Sequence, residues 1–183
     1  MLQLNFTPFP VINTGRIVLR KPKIEDAKEM LFLRSDERVM KYIDRPRTKT
    51  IQEASEYIER INKLTDENEA INWAITLATD DVLIGTICFW RIERENHRAE
   101  VGYMLHPDYH RQGIMKETLQ AVVQFGFNTL NFHSIVAIIN PSNTASGLLL
   151  KGAGFEQEAY FRENYYFNGK FLDTAIFCII SPA

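Results

Sequence analysis

Between residues 72 and 105 the chain carries three successive stretches of strand character, and it then gives way to one long helical stretch. That succession leaves few topologies open. Asn72 to Thr79 and Val82 to Ile92 are rich in Ile, Trp, Thr and Phe and are separated by Asp80-Asp81, which predicts an antiparallel hairpin turning at the two aspartates. Arg98 to Leu105 continues as a third strand, in which Ala99, Val101, Tyr103 and Leu105 alternate with Glu100, Gly102 and Met104. One face of that strand is apolar, and Glu100 belongs to the other. Ile114 to Leu130 places Met115, Leu119, Val122, Val123 and Phe127 on one helix face. Ser134 to Ile139 is a short apolar run suited to a strand buried on both faces. A mixed sheet with helices on both faces follows.

The flanking segments fit the same plan. Arg16 to Arg20 reads as a first strand ended by Pro22, and Ile24 to Arg34 has helical spacing at Ile24, Ala27, Met30 and Leu31. Thr50 followed by Glu53 is a capping box, and it opens a helix with Ile51, Ala54, Tyr57, Ile58, Ile61 and Leu64 on one stripe. Pro141 to Gly152 is a shorter helix stopped by Gly152 and Gly154. Phe155 to Phe167 and Phe171 to Ile180 flank Asn168-Gly169, a type I′ hairpin signal. The expected fold class is α/β (α+β): a mixed, mostly antiparallel central sheet of about seven strands, flanked by helices on both faces, in one domain over residues 1–183.

Composition narrows the function classes. Twenty-one Lys and Arg against 23 Asp and Glu give a net charge of −2, without the global attraction that nucleic-acid and anionic-membrane binders carry. No basic stripe interleaved with aromatics appears, so no direct nucleic-acid partner is expected. No apolar run approaches the roughly 20 residues of a membrane span, and the first residues lack a signal-peptide pattern. Cys88 and Cys178 lie apart in apolar strands and form no CxxC pair, which reads as two reduced core thiols in a cytoplasmic chain.

The loop Tyr109-His110-Arg111-Gln112-Gly113 joins the third meander strand to the long helix. A glycine loop at a helix N-terminus exposes backbone N–H groups at the positive end of the dipole, which suits a phosphate or pyrophosphate; the alternative is a plain loop whose glycine serves only its turn. No GxxxxGK[ST] occurs, and Gly152-Ala153-Gly154 follows a helix rather than a strand, so neither common nucleotide fingerprint is present. His106 and His110 flank Asp108, but Pro107 breaks the helical face that a metal pair at this spacing needs, and no metal is expected. Trp73 and Trp90 read as core or cleft wall. Arg91, Arg94, His97 and Arg98 form a basic cluster, open to an acidic ligand or to solvent alone.

Several of these segments, taken in order, resemble the GNAT superfamily of N-acetyltransferases. They are Ala99-Glu100-Val101-Gly102-Tyr103-Met104-Leu105-His106-Pro107, the Gly113 loop with its helix, Asn140-Pro141 through Asn143-Thr144-Ala145-Ser146, and Gly154-Phe155. The likeness is greatest to the ribosomal-protein N-acetyltransferase-like (RimJ/RimL) branch. It covers nearly the whole chain from Arg16 on, and Asn168-Gly169-Lys170 with Asp173 matches that branch's C-terminal hairpin.

The resemblance implies acetyl-CoA as cosubstrate, bound where two central strands splay apart. It implies that Arg111, Gln112, Gly113, Ile114 and Met115 hold the pyrophosphate through backbone amides. The strand at Met104 and Leu105 would pair with the pantetheine arm, and Asn140 and Asn143 would border it, with Asn143 also serving as a helix cap. His110 stands where the family's loop usually has Arg or Gln. Glu100 is the candidate general base, since an amine must lose a proton as it attacks a thioester; otherwise it is a solvent-facing strand residue. Ser146 is the candidate donor to the departing sulfur, in place of the Tyr the wider superfamily carries where this chain has Leu150; otherwise it is a first-turn helix serine.

The expected activity is transfer of acetyl to a primary amine by direct attack in a ternary complex, foremost to a protein N-terminal α-amine. A small-molecule amine such as an amino acid, polyamine or aminoglycoside is the alternative acceptor. A non-catalytic acyl-CoA-binding module is the alternative from another class. The aromatic hairpin, with Tyr160, Phe161, Tyr165, Tyr166, Phe167 and Phe171, packs across its strands, lines the acceptor pocket or forms a homodimer contact.

Overall fold

The computed structural model describes residues 1–182. The strands are β1 (Ile12–Asn13), β2 (Ile17–Arg20), β3 (Ile71–Leu77), β4 (Asp80–Glu93), β5 (Arg98–Leu105), β6 (Ser134–Ile139), β7 (Glu156–Phe167) and β8 (Lys170–Ile180). They form one eight-stranded sheet in the order β1-β2-β3-β4-β5-β6-β8-β7. The helices are α1 (Ala27–Ser35), α2 (Glu37–Met40), α3 (Ile51–Asp66), α4 (Ile114–Asn128) and α5 (Thr144–Gly152). None of the helices is long and apolar enough to cross a membrane. The strand beyond the expected seven is β1, a two-residue piece paired to β2 through Ile12 and Leu19.

All neighbouring strands are antiparallel except β5 and β6. That parallel pair is short. It runs from Arg98 opposite Ser134 to Glu100 opposite Val136 and ends there. Beyond it, Val101–Leu105 stays paired to β4, and Ala137–Ile139 stays paired to β8. The two central strands therefore part, each held by its outer neighbour, and a wedge opens between their C-terminal halves.

Side-chain alternation divides the two faces. Ala99, Val101 and Leu105 of β5 pack with Trp73 and Phe89 of the sheet and with Leu119 and Val122 of α4. Gly126 brings α4 close to the sheet: a Cβ there would stand 2.9 Å from the Phe89 ring. The opposite face is covered by α1 and α3, whose Met30, Leu33, Ala54 and Ile58 pack with Ala74 and Leu83. Ala74, Thr86 and Met104 are in register across β3, β4 and β5, so Glu100, Gly102 and Met104 belong to this α1/α3 face.

Local sequence explains most boundaries. The Thr50 side chain accepts from the Glu53 N–H at 3.1 Å, while the Glu53 carboxylate reaches Lys49 N–H at 2.7 Å, one residue further back than a standard capping box. Asn168 and Gly169 have φ of 47° and 80°, as a type I′ turn demands. The β3–β4 turn differs from expectation: Leu77 pairs with Asp80, so Ala78-Thr79 make the turn and both aspartates enter β4. Ion pairing accounts for this, because Asp81 binds Arg20 and Lys23. β6 is buried at Ile135, Val136 and Ala137, but Ile138 is 40% exposed, so only half of the strand is covered on both faces.

Arg20 links the sheet to the α1/α3 layer. Its guanidinium donates to both oxygens of buried Asp26 at 2.7 and 2.8 Å, and also to the Asp81 carbonyl at 2.8 Å. Asp26 additionally accepts from Lys23 N–H at 2.7 Å where the chain turns into α1. Removing one member of such a pair strands a buried charge. Asp26→Ala is expected to lower the unfolding free energy by about 3 kcal/mol, read as a lower urea midpoint with unchanged slope.

Candidate active site

The wedge between β5 and β6 has a helix start on each side. Because β5 and β6 run parallel, the helices that follow them, α4 and α5, begin at the same edge of the sheet. Gly113 caps α4 with a φ of 78° and offers no side chain to the first-turn N–H groups. Arg111 also takes a positive φ, of 59°. The loop from Arg111 to Gly113 is exposed, whereas Ile114 is buried and Met115 half-buried, so those two residues present backbone to the loop and side chain to the core. An αL glycine ahead of unpaired amides at the positive end of a helix is the geometry that receives an anion.

Two further residues act on this loop. Glu117, in the first turn of α4, would oppose an anion, but Thr14 donates to it at 2.5 Å and Arg16 at 2.6 and 3.0 Å. Those donors hold its carboxyl below the usual range. Arg16 also donates to the Gln112 carbonyl at 3.1 Å, which leaves a half-exposed guanidinium beside Gly113. His110 bonds the Leu105 carbonyl through Nε2 at 3.0 Å and ties the loop to the end of β5. His106 stacks on Phe32 at 4.3 Å and accepts from Asp108 N–H at 3.2 Å. Among the described residues no cluster of metal-ligating side chains forms.

The wedge exposes the backbone edge of Gly102 to Leu105 that β6 has left, except for the Leu105 carbonyl, which His110 occupies. On one face of β5 stands Glu100. It is buried, paired at 3.1 Å to the half-exposed Arg91, and cross-strand from Trp90. Burial pushes its carboxyl upward from the usual 4.5, and Arg91 restrains that rise. Gly102 leaves the next position on that face bare, since a Cβ there would meet Trp90 Nε1 at 3.6 Å and Cys88 Sγ at 3.4 Å. The Cys88 thiol is pushed up to about 12 by burial and stays inert.

On the other face, Tyr103 and Ser146 share a hydrogen bond of 2.6 Å across the wedge, between β5 and the first turn of α5. Burial pushes the Tyr103 phenol up to about 12, so it stays protonated. Asn143 caps α5 by accepting from Ser146 N–H at 3.2 Å. Asn140 shapes the turn before it, accepting from Ser142 N–H at 2.9 Å. Leu150 is fully buried and faces the core. Tyr103 and Arg16 were not singled out in the sequence: Tyr103 reads as one apolar member of a strand, and Arg16 as the start of another. The basic cluster expected at Arg91–Arg98 does not assemble, because Arg94 turns to Glu69 and the Asn68 carbonyl, His97 to the Asn131 carbonyl, and Arg91 to Glu100.

Residues 16–156, which contain the wedge and both helix starts, match the family description "Acetyltransferase (GNAT) domain". The chain belongs to the GNAT acetyltransferase family. Family members use acetyl-CoA, and the protein is accordingly an acetyl-transferring enzyme. It is 33% identical over 174 residues to YoaA of Bacillus subtilis, described as an uncharacterized N-acetyltransferase, with 95% of this chain and 98% of that protein covered. The [ribosomal protein uS5]-alanine N-acetyltransferase of Escherichia coli is 27% identical over 67% of this chain and 63% of its own. Among solved structures, a GNAT-family acetyltransferase from Bacillus anthracis superposes with a TM-score of 0.83 at 25% identity, covering 93% of this chain and 98% of that one. RimL, a ribosomal L7/L12 α-N-protein acetyltransferase solved with coenzyme A, superposes with a TM-score of 0.85 at 22% identity over 93% and 98%.

Burial of Glu100 has a measurable cost. Its folded-state pKa is raised, so stability falls as the pH rises from the unfolded carboxyl value through the folded one, and the penalty is absent where the carboxyl is protonated in both states. Glu100→Gln is expected to stabilise the protein against urea at pH 8, with the difference vanishing near pH 3. A solvent-facing glutamate would give equal midpoints at both.

Proposed function

We propose that this enzyme acetylates the α-amine of a protein N-terminus by direct attack on acetyl-CoA held in the β5–β6 wedge. The observation that carries the reading is a buried carboxylate, Glu100, at the last paired position of β5, with a protonated Tyr103–Ser146 pair on the opposite face of the same strand. One face offers a base and the other a proton donor, and the wedge joins them.

In this reading the amides from Arg111 to Met115 and the Arg16 guanidinium receive the pyrophosphate. The free backbone edge at Met104 and Leu105 pairs with the pantetheine arm, with Asn140 and Asn143 at its border. Glu100 accepts the proton that the amine loses as the carbon–nitrogen bond forms. Tyr103 donates to Ser146 Oγ, which frees the serine hydroxyl to donate to the sulfur as the carbon–sulfur bond breaks. Holding amine and thioester together supplies most of the acceleration, and proton transfer adds roughly 10²- to 10⁴-fold.

The uS5-alanine enzyme among its relatives supports a protein N-terminus as acceptor. A small amine is the second reading, supported by 21% identity over 164 residues to the spermidine N(1)-acetyltransferase of Escherichia coli. The exposed aromatic side chains Tyr160, Phe161, Tyr166 and Phe171 on β7 and β8 support a homodimer through that sheet edge. The cytoplasm is the compartment this reading implies.

Glu100→Gln is expected to lower kcat/KM by about 10²- to 10⁴-fold while leaving coenzyme A affinity within about threefold. Ser146→Ala is expected to lower kcat at nearly constant KM. The wild-type profile should lose activity toward acid through a group titrating above 4.5, because the base works only when deprotonated and its burial raises its pKa. Unchanged turnover in both variants removes the assigned roles, and tight coenzyme binding without acetylation of any amine indicates a binding module instead.

A further inference from the structure

The α1/α3 face beside Glu100 carries an excess of guanidinium groups without carboxylate partners. Arg45, on the exposed loop between α2 and α3, lies over the Trp90 ring at 5.5 Å, and Arg91 lies over the same ring at 4.2 Å. Arg34 and Arg60 both lie over the Tyr57 ring, at 3.8 and 5.2 Å. Among the ion pairs of the described residues none involves Arg34, Arg45 or Arg60, and Arg91 is paired only to Glu100.

The Asp44 carboxylate also lies here: burial pushes it up, the Arg45 charge restrains that rise, and among the described residues the two form no direct ion pair. Arg34 donates to the Thr48 hydroxyl at 3.1 Å. Burial pulls its pKa down, and the Arg60 and Arg45 charges push the same way. Four like charges on aromatic supports, in a chain of net charge −2, are not a by-product of overall basicity. The loop bearing Arg45 is also anchored, since the Tyr165 hydroxyl of β7 donates to the Asp44 carbonyl at 3.3 Å.

Guanidinium groups supported on aromatic rings are weakly hydrated, and they bind carboxylate or phosphate oxygens well. Glu100 consumes the charge of Arg91, which leaves Arg45, with Arg34 and Arg60 behind it, to meet whatever enters beside the base. A polycation entering there would meet three guanidinium charges against the one carboxylate of Asp44.

We infer that the acceptor is an amine bearing an anionic group a few ångströms from its nitrogen, received by Arg45 and its neighbours while the amine faces Glu100. This rests on the reading of Glu100 as the base and adds the class of acceptor. For a protein acceptor the anion is an acidic side chain in the first residues; for a small acceptor it is a carboxylate or phosphate on the amine itself.

The test measures release of coenzyme A thiol with amidated tetrapeptides Ser-Asp-Ala-Ala, Ser-Asn-Ala-Ala and Ser-Lys-Ala-Ala, with free aspartate and with spermidine. Binding of the same compounds to the coenzyme A complex is followed by calorimetry. The Asp peptide is expected to exceed the Asn peptide about tenfold in kcat/KM, mostly through KM, with spermidine the poorest; salt should erode the preference. Arg45→Gln should bring the ratio near one, chiefly by raising KM for the Asp peptide. Free aspartate surpassing every peptide would assign the anion to a small acceptor.

Acetylation with equal efficiency on Asp and Asn peptides overturns the inference and leaves the acetyltransfer reading standing. A preference that persists in Arg45→Gln/Arg60→Gln also overturns it. If no compound is acetylated, the proposed function fails while calorimetry still decides the inference, because selective binding of anionic amines upholds it and equal binding does not.

Discussion

Pairing between β5 and β6 lasts for three residues, and the proposed site depends on its ending at Glu100 and Val136. A parallel pair that continued would bury its backbone groups in sheet hydrogen bonds. Here β4 keeps β5 and β8 keeps β6, so each strand retains one full ladder while the facing edges part. The wedge is thus a stable feature of the sheet rather than a defect. Free backbone donors and acceptors at that edge are available to an extended ligand, and two helix starts frame it.

The same strand separates two kinds of chemistry by alternation alone. Glu100 points toward α1 and α3, and Tyr103 toward α4 and α5, so the proposed base and the hydroxyl pair approach the wedge from opposite faces. Their environments push the two groups in complementary ways: burial raises the Glu100 carboxyl toward useful basicity and keeps the Tyr103 phenol protonated. Arg91 limits the first shift so that the carboxylate remains available. Electrostatics around the loop are balanced similarly, with Arg16 and Thr14 absorbing the charge of Glu117 at the start of α4.

Much of this was legible in the sequence, for identifiable reasons. The meander, the crossover helix and the Asn168-Gly169 turn are local patterns, and local patterns survive folding when burial agrees with them. The side of β5 on which Glu100 stands followed from alternation alone. Its burial did not, because the side chains around it include Arg45, which is distant in sequence. Asp80 and Asp81 misled as turn residues, since the partners that hold Asp81 in β4, Arg20 and Lys23, come from another strand and its following turn. Tyr103 and Arg16 were hidden for the same reason: each acquires its role only through a contact more than 40 residues away. The cluster read at Arg91–Arg98 was real as sequence and dispersed in space, while Arg34, Arg45, Arg60 and Arg91, spread along the chain, converge.

Amide hydrogen exchange with and without acetyl-CoA tests the role of the wedge most directly. Slower exchange is expected at Gly102 to Leu105 along the free edge of β5 and at Gly113 to Lys116 at the start of α4, with β1 to β3 unchanged. Protection confined to another surface, such as the stretch of β7 from Arg162 to Asn164, or no protection at saturating coenzyme, would contradict the account.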